Sequence, residues 1–203
     1  MTLANRITMG RMGLSLAIFA LILTQTLWSE IVALVLLTVA SVSDGIDGAI
    51  ARRTKTTTSF GAVADPFADK ILIMAVFLAF ASLKELAVPL WAVFLILLRE
   101  LTISTLRVLS ALHGDVMKAE AAGKIKTTIQ LIAAFTIMVL LVLIVWGKKH
   151  GLPGPLSDVV RLAGPISWWL TVVTAFFTLV SGAIYLYNHR ALLYKSWNQR
   201  GQG

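Results

Sequence analysis

The chain has 203 residues, of which 58% are hydrophobic and 14% charged, with a net charge of +8 and a mean hydropathy of +0.84. Soluble domains carry roughly 45–50% apolar and about 25% charged residues, so this composition excludes both a lone soluble globule and a disordered chain. The lack of cysteine excludes disulfides, thiol nucleophiles and zinc–thiolate sites, and the positive charge favours anionic partners such as lipid headgroups, phosphates or nucleic acid.

Six long apolar runs follow one another along the chain, most of them near the length of about 20 residues that a helix needs to cross a bilayer. Backbone inside lipid must satisfy its own hydrogen bonds, so each run predicts a helix. A cleaved signal peptide is the alternative for the first run, although Trp28-Ser29-Glu30 is a poor cleavage site. We therefore expect one all-α integral membrane domain over residues 1–203, with six transmembrane helices at 13–29, 31–51, 66–83, 87–109, 125–146 and 166–188.

The positions of Lys and Arg predict an orientation. Six spans put both termini on one side, and that side holds 14 of the 18 basic residues. The other side holds only Lys84, Lys148, Lys149 and Arg161. Because cytoplasmic loops collect Lys and Arg, we expect a multi-pass protein of the inner membrane with both termini in the cytoplasm. Segment 147–165 then becomes the longest outer loop.

Four of the ten acidic residues lie between positions 44 and 69, at the inner ends of the second and third spans. Asp44 and Asp47 are three residues apart, and Asp65 and Asp69 are four apart, so each pair shares one helix face. Carboxylates at membrane depth are costly and repel one another unless a cation neutralises them. Oxygen-only ligands suit Mg²⁺ or Mn²⁺, so the aspartates predict a site for one or two such ions.

The neighbours of the aspartates support a ligand site. Gly45, Gly48 and Ala51 are small enough for a backbone or a bulky ligand to approach closely, and Arg52 offers a planar fork of donors to phosphate. Gly61 lies where the chain must re-enter a helix before the third aspartate. The alternative, that the acids are interfacial charges paired with neighbouring basic residues, leaves their shared helix faces unexplained.

These residues resemble a known family. The run from Asp44 to Arg52, followed by Gly61-x-x-x-Asp65-x-x-x-Asp69, matches the motif of CDP-alcohol phosphotransferases at every fixed position. The resemblance implies six transmembrane helices and displacement of CMP from a CDP-linked lipid or alcohol by an incoming hydroxyl. It also implies that Asp44, Asp47 and Asp65 bind divalent metal, and that Asp69 is the base and possible fourth ligand. Members of the family are dimers, so the resemblance implies a homodimer.

A second set of residues is expected to hold the acceptor. Arg99 and Arg107 are eight residues apart near one helix face, and Lys124 and Lys126 lie at the inner start of the fifth span. Together with the positive end of that helix, they predict a site for a dianionic phosphate. Positive-inside anchoring is the alternative, but it does not explain Arg99, which lies inside an apolar stretch and needs a buried partner such as Glu100 or a ligand.

Further runs are similar to the bacterial branch of the family that makes phosphatidylglycerophosphate. They are Asn5-Arg6-Ile7-Thr8-x-x-Arg11, Arg99-Glu100-x-x-x-Ser104-x-x-Arg107, Gly123-Lys124-x-Lys126-Thr127-x-x-Gln130 and Ser181-Gly182-x-x-Tyr185. This resemblance implies CDP-diacylglycerol as donor and glycerol-3-phosphate as acceptor, in a site facing the cytoplasm and surrounded by membrane lipids. Asn5, Gly45, Gly48, Ala51, Arg52 and Gly61 would then bind the CDP-lipid.

Two alternatives to this reading stay open at this point, namely another acceptor and a different class of protein. The same chemistry could use inositol phosphate or phosphatidylglycerol as acceptor, although the single charge of phosphatidylglycerol makes four cations excessive. A divalent-cation transporter would also place carboxylates in the membrane, but all four aspartates lie at one interface. Binding of nucleic acid is not expected, because the basic residues are scattered over short loops without a recognisable module.

Overall fold

The computed structural model describes the backbone of residues 3–54, 59–112, 121–151 and 154–190, and the side chains of residues 9–43, 70–110, 125–151 and 154–190. Throughout these ranges the regular structure is helical, which confirms the predicted all-α class. The helices are α1 (Leu3–Thr24), α2 (Leu27–Thr54), α3 (Ser59–Ser82), α4 (Leu90–Leu112), α5 (Ala121–His150), α6 (Gly154–Arg161) and α7 (Ala163–Asn188), with a short 3₁₀ helix at Lys84–Leu86.

The first predicted span, 13–29, is wrong at its C-terminal end, because a turn separates α1 from α2 inside it. Gln25 adopts the left-handed conformation with φ of 50°, which breaks the helix. The Ser29 amide donates to Thr26 Oγ1 at 3.3 Å, and the Thr26 amide donates to Ser29 Oγ at 3.1 Å. This reciprocal cap satisfies free amides at the start of the new helix and fixes where α2 begins.

The expected outer loop 147–165 also differs from the structure, because it contains α6. Leu156, Val159 and Val160 are spaced i, i+3 and i+4, so they form one apolar stripe on this short helix. Val160 packs against the core of the bundle, and α6 contacts both α5 and α7. A stripe this short falls below the length that hydropathy detects, which is why the sequence predicted a loop.

Among the described residues, two segments are long and apolar enough to cross a membrane. They are Ile125–His150, with a mean hydropathy of 2.7, and Ala163–Asn188, with 1.8. Three shorter apolar helical segments are Met9–Thr24, Leu27–Ser43 and Lys70–Ser82. Two candidate spans in an all-helical chain agree with the predicted class, while the six-span arrangement and the sides of the termini stay predictions.

The core brings the helices together in two groups, which meet where α3 packs on α4 and where α5 packs on α2 and α3. α1 packs on α2 and α3, and α7 packs on α4 and α5, while α5 also contacts α2 and α3. Phe77 and Phe80 of α3 lie at the centre with ring centroids 6.2 Å apart in an edge-to-face arrangement. Alanines at buried positions let the backbones of neighbouring helices approach closely; they include Ala33, Ala40, Ala133 and Ala134.

Contacts between chain-distant residues show that α3, α4, α5 and α7 alternate in direction. At one end, Lys148 near the end of α5 donates to Glu85, which follows α3, and Gly164 at the start of α7 lies against the Glu85 carbonyl. We call this the Glu85 end. Farther along the same helices, Glu100 of α4 meets Lys126 near the start of α5, and Arg99 meets Ser181 near the end of α7. Polar groups therefore converge well away from the Glu85 end.

Candidate functional site

The predicted aspartate site falls on two helices whose backbones the structure describes. Asp44 and Asp47 belong to the C-terminal half of α2, and Asp65 and Asp69 to the N-terminal half of α3. Helical geometry puts each pair on one face of its helix, as the spacing predicted. The side chains of the four aspartates lie outside the described residues. The same holds for Lys124 and for the residues predicted to bind the CDP-lipid, which are Asn5, Gly45, Gly48, Ala51, Arg52 and Gly61.

The chemistry of these aspartates fits a divalent metal. Four carboxylates on two helices supply only hard oxygen ligands, which Mg²⁺ and Mn²⁺ prefer. Within the residues whose side chains are described, no cluster of three or more His, Asp or Glu residues forms a second candidate metal site. The metal site therefore remains a prediction for the aspartates alone.

A buried polar cluster connects α4, α5 and α7. We call it the Glu100 cluster, and it consists of Arg99, Glu100, Lys126, Gln130, Thr178 and Ser181. Glu100 lies at its centre, with only 3% of its side chain exposed. Its Oε1 accepts from the ammonium of Lys126 and from Gln130 Nε2 at 3.1 Å. The carboxylate thus joins α4 to α5 by charge-assisted hydrogen bonds in a place that water hardly reaches.

Arg99 extends from α4 onto α7 in the same cluster. Its side chain is 9% exposed, and its NH1 lies 3.6 Å from Glu100 Oε1. The partner expected for a buried Arg99 is therefore present. Its NH2 donates to Ser181 Oγ at 3.1 Å. Its Nε is buried and has no hydrogen-bond acceptor among the described residues. A buried donor of this kind is unusual and is expected where a ligand supplies the acceptor.

The charges of the cluster determine which cation is available to a ligand. Glu100 carries one negative charge against the two positive charges of Arg99 and Lys126. Because Lys126 is bound directly to the carboxylate, the excess positive charge of the three groups resides mainly on Arg99. The assignment of Lys126 to an acceptor phosphate stays a prediction, and Arg99 is the cation of the two whose charge is less fully paired with Glu100.

Arg107 lies two turns beyond Arg99 on α4, as the sequence predicted, and its side chain is exposed. Its guanidinium carbon lies 5.8 Å from the ring centroid of Tyr185, which is a favourable distance for a cation–π contact. Tyr185 is buried on α7 and stacks on His189 with ring centroids 4.3 Å apart. The guanidinium of Arg107 therefore packs on a pair of stacked aromatic rings near the end of α7.

The Glu100 cluster lies close to the helix that carries two of the predicted metal ligands. α3 packs against α5, the helix that carries Lys126 and Gln130. α3 also carries Asp65 and Asp69, so the cluster and two of the predicted metal ligands belong to neighbouring helices.

Four members of the cluster were not predicted as site residues, although Glu100 was expected as a partner of Arg99. Gln130 is four residues after Lys126 on one face of α5, so its spacing in the Gly-Lys-x-Lys run was a signal for a shared role. Thr178 accepts from Gln130 Nε2 at 3.4 Å, and Ser181 accepts from Arg99. Ser181 and Arg99 are 82 residues apart, so no local pattern could have joined them.

Comparison with known proteins identifies the family. The family described as CDP-alcohol phosphatidyltransferase matches residues 1–180. A Bacillus subtilis protein named CDP-diacylglycerol–glycerol-3-phosphate 3-phosphatidyltransferase is 31% identical over 192 residues, covering 89% of this chain and 91% of the relative. A Rickettsia felis protein of the same name is 34% identical over 184 residues, covering 90% and 92%.

A Mycobacterium tuberculosis protein named as a probable phosphatidylglycerophosphate synthase is 36% identical over 146 residues, covering 72% of this chain and 63% of the relative. These matches confirm the resemblance found in the aspartate motif and support the predicted enzyme class, a transferase of phospholipid synthesis. The chain belongs to the CDP-alcohol phosphatidyltransferase family.

Proposed function

We propose that this enzyme transfers the phosphatidyl group of CDP-diacylglycerol to glycerol-3-phosphate and releases CMP. The observation that carries the proposal is the buried Nε–H of Arg99, which has no acceptor among the described residues and belongs to a cluster near the start of α5. The names of the relatives support the choice of donor and acceptor. A dianionic acceptor suits this cluster because Glu100 leaves it with a net positive charge.

The proposed reaction forms one P–O bond and breaks another. The primary hydroxyl of glycerol-3-phosphate attacks the phosphorus that bears diacylglycerol, and the bond from that phosphorus to the CMP oxygen breaks. Asp69 takes the proton of the attacking hydroxyl. Arg99 and Arg107 hold the acceptor phosphate, with Lys124 and Lys126 adding positive charge, so the hydroxyl is oriented for attack. Gly45, Gly48, Ala51, Arg52 and Gly61, with Asn5, accommodate the cytidine diphosphate.

Asp44, Asp47, Asp65 and Asp69 would hold one or two divalent ions, Mg²⁺ or Mn²⁺. When bound, such ions would offset the negative charge of the donor pyrophosphate. Without such ions, the four carboxylates would repel the anionic pyrophosphate of the donor.

We also propose six membrane spans on α1–α5 and α7, with both termini and the active site facing the cytoplasm, in a homodimer of the inner membrane. The lack of cysteine makes the orientation testable with single introduced thiols. In intact spheroplasts an impermeant maleimide is expected to label Ser157→Cys on α6 and not Arg190→Cys beyond α7. Permeabilised cells should show labelling of both, and the reverse pattern in intact cells would contradict the orientation.

The proposed function is tested by acceptor competition with the purified protein in detergent. CDP-diacylglycerol and Mg²⁺ are supplied with glycerol-3-phosphate, inositol phosphate or phosphatidylglycerol in parallel, and CMP release is followed. Release with glycerol-3-phosphate alone is expected. Release with only another acceptor would overturn the assignment of Arg99 and Arg107. No release under Mg²⁺ or Mn²⁺ would revive the cation-transport alternative, which metal flux in liposomes would then test.

A further inference from the structure

The path of Arg99 across α7 depends on the absence of a side chain at Gly182. A Cβ placed there would lie 2.9 Å from Arg99 Cγ and 3.3 Å from its Nε. Carbon atoms that are not bonded to each other pack at about 3.5–4.0 Å, so the two groups cannot both occupy these positions. Cγ is close to the α4 backbone and cannot move aside alone, so a side chain at position 182 would displace the whole arginine.

The neighbouring residue holds the other end of the same side chain. Ser181 is 5% exposed, and its Oγ accepts from Arg99 NH2 at 3.1 Å. α7 thus holds Arg99 along its stem through the space at Gly182 and at its tip through the Ser181 hydroxyl. Between these two contacts, the buried Nε has no acceptor among the described residues.

The donors of the guanidinium therefore differ in their partners. One donor is bound to Ser181, another faces Glu100, and the buried Nε–H has no acceptor among the described residues. An arginine carries its five N–H groups in a rigid planar fork, so fixing two of them also fixes the direction of the third.

We propose that Ser181 and Gly182 are positioning residues, which hold Arg99 so that its Nε–H meets an oxygen of the acceptor phosphate. This inference rests on the proposed function, because it assumes that the phosphate is bound at Arg99. It adds that α7, which carries none of the predicted metal or CDP-lipid ligands, sets the affinity for the acceptor.

The first test compares two glycines of α7. Gly182→Ala is expected to raise the KM for glycerol-3-phosphate about tenfold, as for the loss of a hydrogen bond to a charged group, with less than about a twofold change in the KM for CDP-diacylglycerol. Gly164→Ala is the matched control, because its Cβ would meet the nearest atoms only at 3.4 and 3.5 Å. It should leave both KM values unchanged, and an equal rise of both KM values in Gly182→Ala would overturn the inference.

A double-mutant cycle excludes a merely structural effect. Arg99→Ala removes the side chain with which the new Cβ collides, so Gly182→Ala in that background should raise the acceptor KM no further. A second rise of similar size, making the two effects multiplicative, would show that Gly182 acts independently of Arg99 and would overturn the inference.

Ser181 keeps the inference testable if Gly182→Ala fails to fold, as judged by size-exclusion chromatography and thermal unfolding. Ser181→Ala should raise the acceptor KM about threefold to tenfold, and Ser181→Thr, which keeps the hydroxyl, should restore it. An unchanged KM in Ser181→Ala would overturn the inference. The choice of acceptor by the wild type alone tests the proposed function. The ratio of the variant's acceptor KM to that of the wild type tests the positioning role, on whichever acceptor the wild type uses. Failure of one can therefore be distinguished from failure of the other.

Discussion

Two Glu–Lys pairs in this molecule show what burial does to the same chemistry. At the Glu85 end, Lys148 donates to Glu85 at 2.6 Å, and the two side chains are 56% and 37% exposed. In the Glu100 cluster, Lys126 binds Glu100 with side-chain exposures of 8% and 3%. The exposed pair stands alone in water, whereas the buried carboxylate also receives Gln130 and lies beside Arg99.

The difference has a physical cause. Water screens the exposed pair and solvates either partner alone, so that pair contributes little. A buried charge cannot be left unpaired without a large cost, and the chain surrounds Glu100 with additional donors. The cluster therefore joins α4, α5 and α7, and it contains the Nε–H of Arg99, which has no acceptor among the described residues. We expect variants in the Glu100 cluster to affect both catalysis and folding. Variants at the Glu85 end should change the free energy of unfolding only slightly.

The largest effect is expected at the aspartates, near the Glu100 cluster. Asp69→Asn removes the proposed proton acceptor and should lower turnover about a hundredfold or more while keeping much of the affinity for nucleotide. CMP release gives the rate, and calorimetric titration with CDP gives the affinity. Lost nucleotide binding with a substantial residual rate would contradict the base role.

The next largest effect is expected at Glu100. Glu100→Ala leaves Lys126 and Arg99 buried without their carboxylate and should lower the free energy of unfolding by about 3–5 kcal/mol. Glu85→Ala is the matched control at the exposed end and should cost less than about 1 kcal/mol. Denaturant unfolding in detergent measures both.

A double variant separates the charge from the packing at this site. Glu100→Met with Lys126→Met removes both charges, so it should be more stable than Glu100→Met alone. If the double variant is no more stable than the single one, the cost at Glu100 does not come from an uncompensated Lys126.

The comparison also shows what the sequence could and could not predict. Apolar runs of membrane length predicted the long helices, and the spacing within each aspartate pair predicted a shared helix face. The break at Gln25 was not predictable, because it depends on one left-handed residue and a local cap inside an apolar run.

The contacts of α7 were also beyond local pattern. Arg99 meets Ser181 across 82 residues, and Gly182 matters only because an arginine of another helix passes over it. Lys126 was predicted as a phosphate ligand from its charge, since the sequence does not show that Glu100 lies against it. Sequence patterns thus indicated which residues carry charge, and the packing of α4, α5 and α7 determined which charges are already paired.

A smaller effect is expected at Arg107, on the exposed edge of the functional region. Arg107→Ala should raise the KM for glycerol-3-phosphate about tenfold while changing the KM for CDP-diacylglycerol much less. Lys149→Ala removes the same charge from the C-terminal end of α5 and should change neither KM. Equal rises in both KM values for Arg107→Ala would contradict its place in the acceptor site.

The smallest effect is expected at the Glu85–Lys148 pair, and it should depend on pH and salt. The hydrogen bond from Lys148 lowers the pKa of Glu85 below its ordinary value near 4.5. A carboxyl whose pKa is lower in the folded state contributes stability above its unfolded pKa, and that contribution is lost as the pH falls through the folded pKa.

Lys148→Met should therefore lower stability by at most about 1 kcal/mol at neutral pH. The difference from wild type should shrink in high salt and as the pH falls below the ordinary glutamate pKa value of 4.5. Thermal unfolding at low and high salt measures it. Met keeps an aliphatic chain of similar length, so the variant removes mainly the charge. A difference that persists at acidic pH would therefore mean that this charge acts on another group, such as the C-terminal end of α5, and would contradict an ion pair with Glu85 as its cause.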